Sequence, residues 1–136
     1  MWRAQLGSRV WWHVVEQRQW DHLDVKATLL VGVGGALGAL ARYGVATAWP
    51  VKPGGFPFST LLVNSVGCLL IGVLMAAAVG SGVRLFLGTG ALGGFTTFSG
   101  YVAEARDLPL PLAACYLAVT LCCALLAVWL GSRVRR

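Results

Sequence analysis

Seven polar side chains stand in stretches otherwise apolar enough for a membrane interior: Arg42, Asn64, Thr96, Thr97, Ser99, Tyr116 and Thr120, with the rings of Phe98 and Tyr101 beside them. Donors dominate and acids are nearly absent. A cation pore calls for carboxylates or rings of carbonyls, whereas amide, hydroxyl and guanidinium donors suit a small anion. Aromatic edges are positive, so Phe98 and Tyr101 fit the same ligand. The apolar segments hold no Ser/His/Asp, Cys/His or paired-carboxylate arrangement, which leaves bond-making catalysis without machinery. Cys68, Cys115, Cys122 and Cys123 lack metal-type spacing with histidine and read as small packing residues.

The set centres on residues 93–101, where Gly93, Gly94, Thr96, Thr97 and Gly100 weaken a helix inside an apolar segment. Backbone that leaves the helix at membrane depth needs partners for its amides and carbonyls, within protein, in water or on an ion. A broken helix here points to an ion or substrate site, and its freed carbonyls can hold a cation structurally.

The positioning elements follow from the apolar pattern. The 136 residues are 57% hydrophobic and 12% charged with a formal charge of +6, the composition of an all-α integral membrane protein. Basic residues flank apolar segments, as Lys26, Arg133, Arg135 and Arg136 do, which indicates membrane anchoring and topology instead of nucleic acid. Four helices are expected, at about 27–48, 58–79, 83–105 and 108–130; the first, at ~1.5 Å per residue, is ~33 Å long, enough to cross a ~30 Å core. The prolines and glycines of residues 49–57 impose a loop, and Gly80-Ser81-Gly82 allows only a tight connection. Within the first segment Gly34 and Gly38 form a small-residue packing face; the phosphate-loop reading of this glycine run fails for want of a strand.

Residues 1–24 form a separate N-terminal extension, rich in tryptophan and arginine and without a signal peptide's apolar run. An interfacial helix, a disordered tail and a start at Val25 all fit it, and His13 and His22 have no ligand partners there. The site residues carry alternatives too. Arg42 either snorkels to the interface or lines an electropositive vestibule. Asn64 either bonds between helices or offers two N–H donors to an anion. Tyr116 and Thr120, four apart, share a helical face as a polar track or satisfy their own surroundings. Glu104 lies close to Arg106 and Asp107 and is either interfacial or functional.

The runs Gly34-Gly35-Ala36-Leu37-Gly38 with Arg42-Tyr43, Thr60-Leu61-Leu62-Val63-Asn64 with Gly67, and Gly93-Gly94-Phe95-Thr96-Thr97-Phe98-Ser99 give the chain its family likeness. From about residue 26 to 133 it resembles the Fluc (CrcB-type) fluoride channels, the last run being the most specific. The resemblance implies four transmembrane helices per protomer with a broken third helix, in an antiparallel, dual-topology dimer. It also implies two fluoride pores, passive fluoride export across the cell membrane and a structural sodium ion at the dimer centre. Sodium would be held by the backbone carbonyls of Gly93 and Thr96. The fluoride pathway would comprise Asn64, Thr97, Phe98, Ser99, Tyr101, Tyr116 and Thr120, with Arg42 and Glu104 at the vestibule. Two departures stand out: Tyr101 replaces a usual phenylalanine, and Ala124 a usual small hydroxyl residue.

With four spans both termini share a side, and Lys26, Arg84, Arg133, Arg135 and Arg136 gather there against Lys52 and Arg106 opposite. That bias favours one fixed orientation. The partner is therefore either a second copy or an oppositely inserted paralogue. Other readings are a small four-helix proton-coupled exporter, which would want an acid where the first segment has Arg42, and a non-conducting assembly subunit.

Overall fold

A computed structural model describes residues 25–134. The extension 1–24, with Arg135 and Arg136, lies outside the described residues. Helix α1 (Val25–Ala48) stops just before Trp49-Pro50, because a residue preceding proline is pushed out of helical conformation. Pro57 caps α2 (Phe58–Ala76) without a side-chain bond. This helix ends three residues before the expected 79: Ala77 turns extended, at φ −81° and ψ 138°, and its carbonyl accepts from Nη2 of Arg84 at 3.2 Å. The guanidinium thus satisfies a carbonyl freed by the early stop.

The expected third segment is two helices. We call α3 the run through Ser81–Val83, the π-helical Arg84–Leu92 and Gly93–Phe95. After it Thr96 (φ −72°, ψ 155°) and Thr97 (φ −145°, ψ 121°) are extended, and α4 (Phe98–Arg106) begins anew. The π-helical widening was not foreseen from the sequence; Gly88 and Gly90 lie within it and bring no side chain to hold a tighter register. Helix α5 (Leu110–Arg133) carries Pro111 in its first turn, where a missing N–H costs little. It begins and ends two to three residues later than the expected 108–130, because Asp107 and Pro109 close α4 first. Its far end is marked by Arg133, whose guanidinium lies 4.0 Å from the Trp129 ring centroid.

The described residues are all-helical, and α1, α2 and α5 are each long and apolar enough to cross a membrane. The helices pack as two parallel pairs. In the first, a Cβ at Gly34 would strike the backbone around Phe86 and Gly90, and one at Gly38 the backbone of Ala91 and Phe95. Residue numbers rise together along both helices, so α1 and α3 run the same way. In the second, Gly72 meets Val128 and Gly131 of α5, again in parallel. Lipid is as apolar as leucine, so helices associate in it through close backbone approach, and side-chain-free positions permit that. The pairs meet where Gly67 of α2 abuts Thr96 at the break and Gly88 of α3 abuts Leu74.

A small core of Tyr101, Ala105 and Tyr116, flanked by Phe56, Leu108 and Leu117, joins α4 to α5. Outside it large apolar side chains remain exposed, among them Leu29, Leu37, Leu40, Leu121, Leu125 and Leu126. Water would disfavour that much apolar surface; a bilayer or a second chain would not.

Candidate functional site

The break between α3 and α4 is held by one side chain. Asn64 Oδ1 accepts the Thr97 N–H at 2.8 Å, and Asn64 Nδ2 donates to the Thr97 carbonyl at 3.0 Å. Asn64 therefore does for Thr97 what a neighbouring strand would do, satisfying both backbone groups of an extended residue. At 8% exposure it is nearly enclosed, which makes both bonds matter. One of its two N–H donors is spent on this clamp, so a single one is left for an anion where two were expected.

Breaking the helix also redirects amides. A continuous helix would aim the Thr97 N–H at the Gly93 carbonyl and the Gly100 N–H at the Thr96 carbonyl. Instead Thr97 bonds to Asn64, and Gly100 donates to Thr97 Oγ1 at 3.0 Å in an N-cap. Those redirections release the carbonyls of Gly93 and Thr96, the two expected as cation ligands. The neighbouring Gly94 carbonyl is taken by Arg42, whose Nε donates to it at 3.2 Å. Arg42 is half-buried and tied to the break, so it does not simply snorkel outward.

Beside the break lies a cavity of about 210 Å³ lined by Asn64, Cys68, Thr96, Thr97, Phe98, Tyr101, Thr120, Leu121 and Ala124. No carboxylate contributes to it. Tyr101 donates its hydroxyl to the Leu117 carbonyl at 2.6 Å, and its ring centroid is 5.7 Å from that of Phe98. Phe98 itself is 77% exposed. Ser99 lies 3.5 Å from the Thr97 hydroxyl, outside the cavity wall and exposed. Thr120, only 3% exposed, has a buried hydroxyl with no partner.

A second polar knot lies one turn away. Glu104 accepts the Thr60 hydroxyl on Oε1 and the Tyr116 hydroxyl on Oε2, both at 2.8 Å. Tyr116 is fully buried, with Phe56 edge-on at 5.3 Å, and it does not line the cavity shared by its helical neighbour Thr120. Glu104 also borders a second opening of about 210 Å³, lined with it by Lys52, Pro53 and Asp107, so it sits between the interior and the loop. Sequence reasoning missed Thr60 as a partner, although its place four residues before Asn64 puts the two on one face of α2. It also missed the carbonyls of Gly94 and Leu117, since no residue type marks a backbone acceptor.

The profile of the family described as CrcB-like protein, Camphor Resistance (CrcB), matches residues 29–132, which span every residue of the break, the cavity and the Glu104 knot. The chain belongs to the CrcB family. Relatives carry the name fluoride-specific ion channel: FluC 1 of Streptomyces coelicolor is 47% identical over an alignment covering 98% of this chain and 87% of the relative. FluC 2 of Nocardia farcinica is 45% identical, covering 84% and 88%. FluC 1 of Listeria innocua, at 38%, covers 76% and 92%. CrcB relatives are thus named as ion channels, not enzymes, in keeping with apolar helices suited to a membrane and a cavity furnished with donors instead of reactive groups.

Proposed function

We propose that this CrcB chain is a fluoride channel subunit that passes fluoride down its gradient through the cell membrane. The cavity beside the break carries the reading: the polar residues Asn64, Thr97 and Thr120 and the aromatic residues Phe98 and Tyr101 line one space without a carboxylate. Fluoride is small, strongly hydrated and a strong acceptor, so it needs donors in place of lost water. The same absence of an acid from the cavity removes a group that would exchange protons, which argues for passive flow over proton-coupled export.

The conducting unit in this proposal is a pair of chains in antiparallel orientation, each with four spans once α3 and α4 are counted as one broken crossing. Exposed Phe98 and the exposed backbone at Gly93 support it, because freed carbonyls at membrane depth cannot face lipid. A sodium ion at the centre of the pair fits the donor chemistry of the break: hard carbonyl oxygens from Gly93 and Thr96, without carboxylates. Bound there, it would offset carbonyl dipoles of the two facing breaks and join them. Thr97, Asn64 and Arg42 hold the backbone in the shape that presents those oxygens.

Charge placement favours a partner that is an oppositely inserted paralogue over a second copy. Parallel packing within each pair puts Lys26, Arg84 and Arg133 at one end of the helices and Lys52 and Arg106 at the other.

The deciding experiment is fluoride efflux from liposomes holding the purified chain, followed by a fluoride electrode, with chloride as control. Fast, fluoride-selective efflux supports the channel and a working homodimer. If the folded chain releases none, coexpression with an oppositely oriented paralogue must restore efflux, or the channel reading fails. Replacing sodium by N-methylglucamine should lower the melting temperature of the pair.

A further inference from the structure

Thr120 lies in the middle of α5, where a threonine ordinarily returns its hydroxyl to the carbonyl three or four residues back. Four residues back is Tyr116, whose carbonyl takes the Thr120 amide in the helix and receives no bond from the Thr120 hydroxyl; three back is Leu117. That carbonyl has two lone pairs; helical geometry gives one to the Leu121 amide. The other is held by the Tyr101 hydroxyl at 2.6 Å. Thr120 Oγ1 is left buried and without a partner, in a residue that lines the cavity with Tyr101.

We propose that Tyr101 is a positioning residue: by occupying the Leu117 carbonyl it removes one of the two helical acceptors open to Thr120 and leaves that hydroxyl available to donate to fluoride. This rests on the fluoride reading above and assigns a specific cause to one donor of the pathway. A phenylalanine at 101 would fill the same space without holding the carbonyl, so the hydroxyl of Thr120 would turn back to Leu117. Fluoride would then have to compete with a backbone acceptor for it. In this chain Ala124, on the next turn of the same cavity wall, offers no second hydroxyl, so Thr120 carries that stretch alone.

The test is a double-mutant cycle on the full chain with its conducting partner, using Tyr101→Phe, Thr120→Val and both together. Two readouts are taken: fluoride efflux from liposomes, and the shift in melting temperature when sodium fluoride replaces sodium chloride at constant ionic strength. Tyr101→Phe is expected to slow efflux roughly 2- to 10-fold, the worth of one neutral hydrogen bond, and to shrink the fluoride-dependent shift. In the Thr120→Val background it should change neither readout further. Independent, additive losses would overturn the proposal while leaving the channel reading intact, as would a Tyr101→Phe chain with unaltered efflux and shift. A chain that shows no fluoride response in either readout, with or without a partner, overturns both.

Discussion

Asn64 of α2 and Thr97, in the extended link between α3 and α4, exchange two hydrogen bonds of 3.0 and 2.8 Å that stand in for the backbone ladder lost where α3 ends. The interaction gives Asn64 a structural role: without it an extended residue would leave its amide and carbonyl unpaired inside the protein. Asn64→Leu should therefore lower the stability of the detergent-solubilised chain by about 2–4 kcal/mol, as two backbone groups lose their partners. Asn64→Asp keeps the acceptor for the Thr97 amide but loses the donor and brings negative charge to the cavity. It should melt above Asn64→Leu and still conduct fluoride poorly. Thermal unfolding with efflux on both variants checks this; equal melting temperatures for Asn64→Leu and the parent would refute the clamp.

Gly38 and Gly32 separate packing from propensity. A Cβ at Gly38 would collide with the Ala91 carbonyl, whereas at Gly32 it meets nothing within 4 Å. Gly38→Ala should cost about 1–3 kcal/mol through forced separation of α1 and α3. Gly32→Ala should leave stability unchanged or raise it by up to ~1 kcal/mol, the helix preference of alanine over glycine. Melting curves of the two variants should diverge in sign.

Tyr116 and Thr60 each satisfy one oxygen of Glu104. Tyr116→Phe leaves one of them without that donor, with an expected loss of about 1–3 kcal/mol for an enclosed acceptor left unmatched. In a Glu104→Gln background the same substitution should cost less, because the amide keeps a single acceptor oxygen for two hydroxyl donors. Denaturation of the single and double variants gives the coupling; strictly additive losses would show that the carboxylate does not tie α4 to α5.

Arg42 reaches the Gly94 carbonyl through Nε, a donor in mid-side chain that lysine lacks. Arg42→Lys keeps the charge and loses this bond, so it separates an electrostatic from a geometric role. If the bond fixes the shape of the break, Arg42→Lys should slow fluoride efflux about tenfold, the equivalent of ~1.4 kcal/mol. Efflux at the parent rate would mean that positive charge alone suffices.

Helical segments, the loop of residues 49–57 and the weak point near Thr96 were legible in the sequence because they depend on near neighbours in the chain: apolar length, proline, and paired glycines and threonines. Family membership was legible for the same reason, since its motifs are contiguous runs, and the comparisons match the whole stretch that carries them. The partners of the polar groups were not. Whether Asn64 would donate outward or grip the backbone depends on where residue 97 lies, 33 positions along the chain. Likewise Tyr116 and Thr120 share a helical face, yet one hydroxyl ends on Glu104 and the other on nothing, because the break turns α4 against only part of α5. Sequence by itself determined which segments suit a membrane and where the backbone would leave the helix, both consequences of local conformational preference and transfer from water. Only the tertiary structure decided which donors are spent and which remain, because a hydrogen bond is satisfied by proximity in space, and the side-chain-free contacts that create that proximity reveal their partners only once the helices pack.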